Sequence, residues 1–590
     1  MNPALTLHRL SVVTLLTLAA PGLLAQATTP LTRQTAPSVA TAKPPVPSAA
    51  TTPAATVTAA GVTGAQLADP SAPLPVPPPP PLSDIIFTNG DVITLDDKRP
   101  SAQAVAIKGS RIVAVGTSKA ILARWRSEGT EVVDLGGKTL VPGFIDSWGQ
   151  LSRLGLFSVA AQLQPPPEGR VGDTAALLRE LREWGRSDLP RRFGWIVGFG
   201  YDETRLRELR TPTRNDLDNV SRDLPVIIVH QSGRQLVANS KALELAGITR
   251  DSVAPAGGDI GRWPGSREPD GLLEGTSAFA LLGALPHFSG DERLALIQQG
   301  QALYLQNGYT TAVEGRATPE DFTLYLQTAD LGALKLDVLL YADLGSSASA
   351  LKGHKQITPR YYKGHLKLAG VSFALDGTTE DRSAWLTQPY QLPPPGKRTS
   401  YAGYPGVSDE TAGGLFEQAY ANGWQVAVHA NGDAAIDQFL KGLQSAGEKH
   451  PFKDRRPLLV GGQTLRDDQL EALKDARAQV AFAPTRLSLS LDTLQNHALG
   501  TERTTRFLPA GSALGKGVPP LLTHDPAALQ PQPLGILAAA IRRPAGDAEQ
   551  LSPFDALKGL TLLPARQLGE EKIKGSITAG KLADLVVLSG

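Results

Sequence analysis

The sequence predicts an α/β protein built on a (β/α)₈ TIM-like barrel. Two further parts are predicted. One is a composite β-sandwich built from both ends of the mature chain, and the other is an inserted subdomain. Two observations carry the prediction: apolar strand-like runs alternate with helix-like runs through the middle of the chain, and both ends are rich in short strands. Alternating βα units with apolar strands are typical of a parallel sheet, and 590 residues are enough for one large barrel with additions.

The middle of the chain carries the alternation. Strand-like runs of four to eight apolar residues are separated by longer segments with helical spacing. The strand-like runs are at 223–230, 336–342, 423–430 and 478–484. The helix-like segments read TAALLRELREWGR, DERLALIQQGQALYLQNG, ETAGGLFEQAYANG, DAAIDQFLKGLQSAG and RDDQLEALKDA. We assign residues 141–565 to the barrel, with an insertion at about 165–285, and expect functional residues at the C-terminal ends of its strands.

Both ends of the folded part read as strands joined by turns. DIIFTNGDVITLD places two β-rich runs on either side of Asn89-Gly90, and AVAIKGSRIVAVG does the same around Gly109-Ser110. Such pairs predict β-hairpins. The last residues, GSITAGKLADLVVLSG, read as short strands around Ala579-Gly580. We therefore predict that 83–140 and 566–590 form one β-sandwich.

The N-terminus predicts export. His8 and Arg9 precede an apolar run that ends at Ala25-Gln26-Ala27, an A-x-A cleavage pattern, so we interpret residues 1–27 as a signal peptide. An uncleaved anchor is the alternative, although the run is short for a membrane span. Residues 28–82 are rich in Pro, Ala and Thr and predict a disordered linker. The expected location is secreted or periplasmic, with no membrane span in the mature chain.

Composition excludes several classes of chemistry. The chain has no cysteine, which rules out disulfides, thiolate catalysis and Cys-ligated zinc. A formal net charge of +1 gives no argument for binding nucleic acid or an anionic membrane. We expect a small-molecule ligand or substrate, no nucleic-acid partner and an oligomeric state that the sequence leaves open.

From about residue 84 onward the chain resembles the amidohydrolase superfamily, in its amidohydrolase-3 or YtcJ-like branch. The resemblance rests on the order and spacing of several segments along the chain. They are LVPGFIDS, LRTPTRNDLDNVSRDLPVII, VANSKALELAGI, GVSFALDGTTEDRSAWLTQPY, VAVHANGDAAID and GSITAGKLADLVVLSG. The resemblance implies hydrolysis of C–N bonds in non-peptide amides by one or two divalent ions bound at strand ends.

Four of the six ligand positions that the resemblance implies are occupied by residues that are not the family's ligands. The H-x-H pair of the first barrel strand matches Trp148 and Gln150. The bridging lysine matches Ser372, four residues before the Asp of the DG pair, and a later histidine matches Gly461. A catalytic zinc usually needs three protein ligands and an open position. We therefore expect at most one Zn-like divalent ion, and the sequence is also compatible with no bound metal.

Two implied ligands survive: His429 in VHANGD, and Asp525 in LLTHDPAAL, which is also the implied catalytic residue. A remodelled mononuclear site would add a neighbour such as His524 or His230. Alternatively, His429 is a hydrogen-bonded strand-end residue, Asp525 caps the next segment or pairs with an arginine, and His524 is simply exposed. Asp376 is either a pocket carboxylate or the residue that orders the DGTTEDRSAW turn.

These observations leave two functions open. The first is an exported hydrolase of C–N bonds with a degenerate metal site. The second is a catalytically inactive pseudoenzyme that binds a ligand or partner in its barrel.

Overall fold

The computed structural model describes most of the chain from Leu82 onward. The described residues are 82–166, 169–187, 194–231, 233, 235–255, 258–275, 277–278, 281, 289–353, 362–394, 397–452, 454–524 and 531–588. The predicted signal peptide and residues 28–81 of the predicted linker lie outside them.

Seven short strands precede the barrel and belong to two sheets. The strands are β1 (Ile85–Thr88), β2 (Asp91–Ile93), β3 (Ser101–Ala102), β4 (Ala104–Lys108), β5 (Arg111–Gly116), β6 (Glu131–Asp134) and β7 (Thr139–Pro142). One sheet has the order β5-β4-β1-β6, while β3, β2 and β7 are neighbours in the other. Residues of both sheets pack into one apolar cluster that includes Val92, Val105 and Leu140.

Only one of the two predicted N-terminal hairpins forms. β4 and β5 pair antiparallel around Gly109-Ser110, as predicted. The prediction of a hairpin at Asn89-Gly90 is wrong, because β1 pairs with β4 and β6 whereas β2 pairs with β3 and β7. Asn89 has φ 55° and its amide donates to Asp134, so the corner sends the chain from one sheet to the other.

The inserted region forms a six-stranded mixed sheet between the first two barrel strands. After the first barrel strand, β8 (Phe144–Ile145), come β9 (Ala161–Gln162), β10 (Ile196–Tyr201), β11 (Val226–His230), β12 (Gln235–Ala238), β13 (Gly258–Arg262) and β14 (Pro269–Gly275). The order is β13-β14-β12-β11-β10-β9, with β9, β10 and β11 parallel. This sheet has apolar clusters of its own, one of which contains Phe199, Val229 and Leu273.

Eight parallel strands form the central sheet, so the fold is α/β and TIM-like. β8 is followed by β15 (Tyr309–Ala317), β16 (Asp337–Asp343), β17 (Leu366–Ala374), β18 (Val426–Ala430), β19 (Leu458–Gly461), β20 (Gln479–Phe482) and β21 (Pro520–Leu522). Their order in the sheet follows the chain, and every ladder is parallel. The predicted runs at 336–342, 423–430 and 478–484 are three of these strands, and the run at 223–230 is β11.

The sheet curls around a common interior. One apolar cluster takes a residue from each of the eight strands: Ile145, Val313, Leu339, Ala369, Ala427, Leu458, Ala481 and Leu521. Beyond the first strand, Ser147 Oγ donates to the carbonyl oxygen of Leu522 at 3.0 Å. The ends of the first and last strands therefore meet.

Helices cover the sheets, and the five predicted helix-like segments are among them. The described helices of eight or more residues are Ser118–Trp125, Leu151–Val159, Thr174–Gly185, Gly290–Gln306, Pro319–Asp330, Leu344–Gly353, Asp409–Ala421, Asp433–Lys449, Asp467–Asp475, Thr485–Thr493 and Pro533–Ile541. Shorter ones are Arg214–Asp218, Ser240–Leu245, Gly500–Thr505, Ala510–Gly515, Pro553–Gly559 and Leu562–Gln567. In the part of the chain that the structure describes, none combines the length and apolar character needed to cross a bilayer.

The C-terminal segment contacts both the central sheet and the N-terminal sheets. Lys367 of β17 lies 2.7 Å from the buried carboxylate of Glu570, which also lies 3.1 Å from Lys574. Lys574 in turn binds Asp337 at the start of β16. The last strand, β22 (Leu585–Leu588), then pairs antiparallel with β7 in the same sheet as β2.

Candidate active site

Trp148 lies inside the barrel. Its side chain is buried and belongs to the interior cluster that all eight strands build. The indole lies 5.8 Å from the ring of Tyr341, and a Cβ added at Gly315 would approach its Cε2 and Cζ2 atoms to 2.9 Å. The glycine leaves the space that the indole fills. At this position the barrel therefore presents apolar carbon where the resemblance implies a metal ligand.

Gln150 lies at the start of a helix, and its side chain is hydrogen-bonded there. It is the residue before helix Leu151–Val159, and its Oε1 accepts a hydrogen bond from Arg153 Nη1 at 3.1 Å. The backbones of Gln150 and Glu314 also form an isolated bridge. The amide oxygen that would be offered to an ion is already an acceptor within the protein.

Ser372 lies in β17 and is fully buried. Its neighbours in the ladders are Asp343 of β16 and Ala427 of β18. Among the described residues its hydroxyl has no hydrogen-bond partner. A hydroxyl cannot form the carbamate that lysine forms in the family, so this position does not bridge two ions.

His429 and Gly461 end adjacent strands, and Asn431 lies between them. The Asn431 side chain is 3.3 Å from His429 Nε2 and donates to the carbonyl oxygen of Gly377 at 2.7 Å. Gly461 has φ +102°, and a Cβ there would come within 2.1 Å of Asn431 Oδ1. No side chain fits at position 461 without displacing this amide.

Asp376 orders the loop that follows β17. Its carboxylate accepts the backbone N–H groups of Trp385 at 3.0 Å, Asn431 at 2.9 Å and Gly432 at 2.8 Å. These bonds join the loop to the end of β18, which is the turn-ordering role that the sequence offered as an alternative. The neighbouring carboxylate Glu380 pairs with Arg486 at 3.0 Å.

His524 and Asp146 form a buried pair where the first and last strands end. His524 is 1% exposed, so the alternative of an exposed side chain is wrong. Its Nδ1 lies 3.4 Å from Asp146 Oδ2, and its ring meets Tyr304 edge-on. Asp146 accepts from Tyr304 OH at 2.6 Å and from Thr523 Oγ1 at 2.8 Å. Burial favours a raised pKa for Asp146, but His524, Tyr304 and Thr523 outweigh it and lower the pKa.

A cavity of about 1270 Å³ opens in front of His524. Its walls come from the insertion, from helix Thr485–Thr493 and from helix Pro533–Ile541. Thr485 lines the same cavity, and its hydroxyl is buried without a hydrogen-bond partner among the described residues. The cavity is large enough for an organic ligand, and the buried imidazole of His524 and the buried hydroxyl of Thr485 belong to residues of its wall.

His230 belongs to the inserted sheet. It ends β11, with its Nε2 3.4 Å from Glu203 Oε2 and 3.9 Å from Asp202 Oδ1. Sequence reasoning named His230 as a pocket residue but missed its two acidic neighbours. Their signal was their place directly after a buried strand.

Glu314 is a further buried acid that the sequence reasoning missed. It accepts from the Ser152 backbone at 2.9 Å and from Tyr325 OH at 2.7 Å. Burial, with the charge of Asp321 as the next cause, raises its pKa to about 7. It packs against helices, so we assign it to the structure and not to the chemistry.

Comparison with known proteins identifies the fold and then the family. The structure superposes on an uncharacterized metal-dependent hydrolase from Pyrococcus furiosus with a TM-score of 0.67 and 24% identity, covering 85% of this chain and 98% of the other. Putative amidohydrolase YtcJ of Bacillus subtilis is 26% identical over 86% of this chain and 94% of its own. N-substituted formamide deformylase of Arthrobacter pascens is 26% identical over 86% and 93%.

The amidohydrolase family model Amidohydro_3 matches residues 131–590. The chain belongs to this family of hydrolases, in the branch that includes YtcJ.

The residues matched to the family's ligand positions do not fit a binuclear metal centre. Four positions are occupied by groups unsuited to such a centre. They are the buried indole of Trp148, the hydrogen-bonded amide of Gln150, the hydroxyl of Ser372 and Gly461, which has no room for a side chain. His429 is the one imidazole at a matched position in the described residues. Asp525 lies outside them, so its proximity to His429 stays a prediction.

Proposed function

We propose that this protein is an exported hydrolase of C–N bonds in non-peptide amides, with a degenerate metal site. The observation that carries the proposal is His524, which lines the large cavity and is paired with the buried Asp146. The likeness to a formamide deformylase over most of both chains supports an amide as the substrate class.

The geometry supports acid–base catalysis by His524. Asp146 Oδ2 lies 3.4 Å from Nδ1, and neither ring nitrogen has a hydrogen-bond partner in the described residues. A base oriented by a carboxylate is a recurring arrangement in hydrolases. Nε2 takes a proton from water while the water oxygen attacks the amide carbon. The imidazolium then returns this proton to the leaving nitrogen, so that C–N cleavage releases a neutral amine.

Two other groups assist this reaction in our proposal. The negative charge of Asp146, held by Tyr304 and Thr523, stabilises the imidazolium between the two proton transfers. The hydroxyl of Thr485 in the same cavity donates to the oxygen of the substrate carbonyl, where negative charge develops.

The test measures amine release from a panel of N-substituted formamides and N-acyl amino acids. His524→Asn should lower kcat by about 10²–10⁴-fold, the usual range for loss of a general base. His365→Asn is the matched control, because His365 is exposed and has φ 66°, which asparagine tolerates. A His524→Asn enzyme with unchanged kcat would contradict the assignment of the base.

The alternative is a pseudoenzyme that binds a ligand or partner without turnover. The burial of Trp148 in the barrel interior and the closed position at Gly461 favour it. Binding of amide ligands by wild type, measured by calorimetry and without release of amine, would support this alternative over the hydrolase.

We further propose a domain organisation for the whole chain. Residues 1–27 are a signal peptide, 28–82 a linker, 83–140 and 566–590 a composite β-sandwich, and 141–565 a barrel with an insertion at about 165–285. Pairing of β22 with β7 and the shared apolar cluster of the two terminal sheets support the sandwich. Recovery of secreted or periplasmic protein that begins at Thr28 would support export, and a cytoplasmic protein that begins at Met1 would contradict it.

A further inference from the structure

The C-terminal ends of β10 and β11 bring three potential metal ligands together in the inserted sheet. β10 and β11 are parallel, with Tyr201 opposite His230. Asp202 and Glu203 follow β10 directly, so their carboxylates reach the same edge as the His230 imidazole. One ligand atom from each of these three residues lies within 4.8 Å of the other two.

A break in β10 sets this arrangement. The ladder to β11 shifts register between Phe199 and Tyr201, and Gly200 between them has φ +96°. Such irregularities redirect the side chains that follow. The carboxylate of Asp202 is then fixed by hydrogen bonds from Thr204 and Gln231, as outer contacts commonly fix metal ligands.

The spacing of the three groups suits an ion better than it suits an ion pair. His230 Nε2 is 3.4 Å from Glu203 Oε2 and 3.9 Å from Asp202 Oδ1. Charge-assisted hydrogen bonds are shorter, about 2.7–2.9 Å. Ligand atoms about 2.1 Å from one tetrahedral ion lie about 3.4 Å from each other. The observed separations therefore leave room for an ion between the groups.

A buried hydroxyl beside the three groups is a second, independent observation that points to a ligand. Tyr201 is 0% exposed, and its hydroxyl has no hydrogen-bond partner among the described residues. The Tyr201 ring meets the His230 ring edge-on, with 5.3 Å between their centroids, and Tyr201 directly precedes Asp202 in the chain. The unsatisfied Tyr201 hydroxyl is suited to a water molecule held by an ion.

The electrostatic surroundings also favour a cation. Glu203, Asp202 and Asp381 all place negative charge near His230. Asp381 comes from the loop after β17, so acidic groups of the insertion and of the barrel act on one point. A divalent ion would balance the two nearest carboxylates.

We propose that Asp202, Glu203 and His230 form a binding site for one divalent transition-metal ion, separate from the family's ligand positions. One imidazole and two carboxylates with open coordination positions suit Zn²⁺ or Mn²⁺. The site is independent of the hydrolase mechanism proposed above, which uses His524.

The test is titration of untagged, EDTA-treated protein with Zn²⁺ and Mn²⁺ by calorimetry. We expect one ion per chain, with at least 100-fold weaker binding in Glu203→Gln and in His230→Gln. His429→Gln is the matched control at the family position and should bind as wild type does. X-ray absorption of the zinc-loaded wild type should report one imidazole ligand and otherwise oxygen ligands.

Three outcomes would overturn the site. They are no binding by wild type, binding that survives both substitutions in the inserted sheet, and binding that His429→Gln abolishes. The last would return the ion to the barrel. Amide turnover is a separate measurement, so failure of the metal site leaves the role of His524 to be judged by its own kinetics.

Discussion

Substitution of Gly461 by alanine tests whether the end of β19 is closed to a side chain. The backbone there has φ +102°, which costs a residue with a Cβ about 1–3 kcal/mol. The new Cβ would also lie 2.1 Å from Asn431 Oδ1. Asn431 must then move, which breaks its hydrogen bond to the carbonyl oxygen of Gly377. Loss of this hydrogen bond adds about 1 kcal/mol. The expected destabilisation is about 2–4 kcal/mol.

The assay is thermal unfolding at a fixed scan rate, because a chain of this size need not unfold in two states. Gly461→Ala should lower the unfolding midpoint by several degrees. Gly414→Ala is the control: it lies within helix Asp409–Ala421, and its added Cβ meets no atom within 4 Å. That substitution should leave the midpoint unchanged or raise it, because alanine is favoured over glycine in helices by about 0.5–1 kcal/mol.

The Asn431→Ala variant serves as a second background that separates the backbone strain from the close contact. In Asn431→Ala protein the close contact is gone while the backbone strain remains, so Gly461→Ala should cost less there than in wild type. An unchanged midpoint for Gly461→Ala in the wild-type background would refute the reasoning. Position 461 would then be open to the histidine that the family has.

Two further predictions concern buried charge. The raised pKa of Glu314 means that the unfolded chain loses this proton first, so stability should fall by up to about 1.4 kcal/mol per pH unit between pH 4.5 and about 7. Thermal midpoints measured from pH 5 to 8 should fall less in Glu314→Gln than in wild type or in the exposed control Glu320→Gln, and equal slopes would contradict the assignment. Glu570→Ala leaves the buried Lys367 without its carboxylate and removes one of the two carboxylates at Lys574, so it should cost about 3–5 kcal/mol. Glu417→Ala at an exposed pair should change stability little by the same assay, and a similar loss in both would show that the buried network contributes little.

The arrangement of the site separates two regions that the family's usual description joins. His429 and Gly461 end neighbouring strands, but Asn431 fills the space between them. The pair of His524 and Asp146 lies where the first and last strands meet, and His524 lines the large cavity. A hydrolase and an inactive binding protein make different use of these regions, and amine release by wild type decides between them.

Local pattern predicted the regular elements well. The apolar runs at 336–342, 423–430 and 478–484 are barrel strands, and the helix-like segments between them are helices. This succeeded because strand and helix periodicity are properties of a few consecutive residues. Asn89-Gly90 failed because the same dipeptide permits a hairpin or a change of sheet, and distant partners choose between them.

The sequence by itself determined the family and the parallel βα framework, since residue identity and order are enough for these, and it predicted that four ligand positions are replaced. The tertiary structure alone decided what surrounds the residues at those positions. It buried His524 against Asp146, 378 positions away in the chain, packed Trp148 against Gly315, and placed Asp202 and Glu203 beside His230. These contacts depend on which strands are neighbours and where a glycine breaks a ladder, and such long-range geometry has no local signature in the chain.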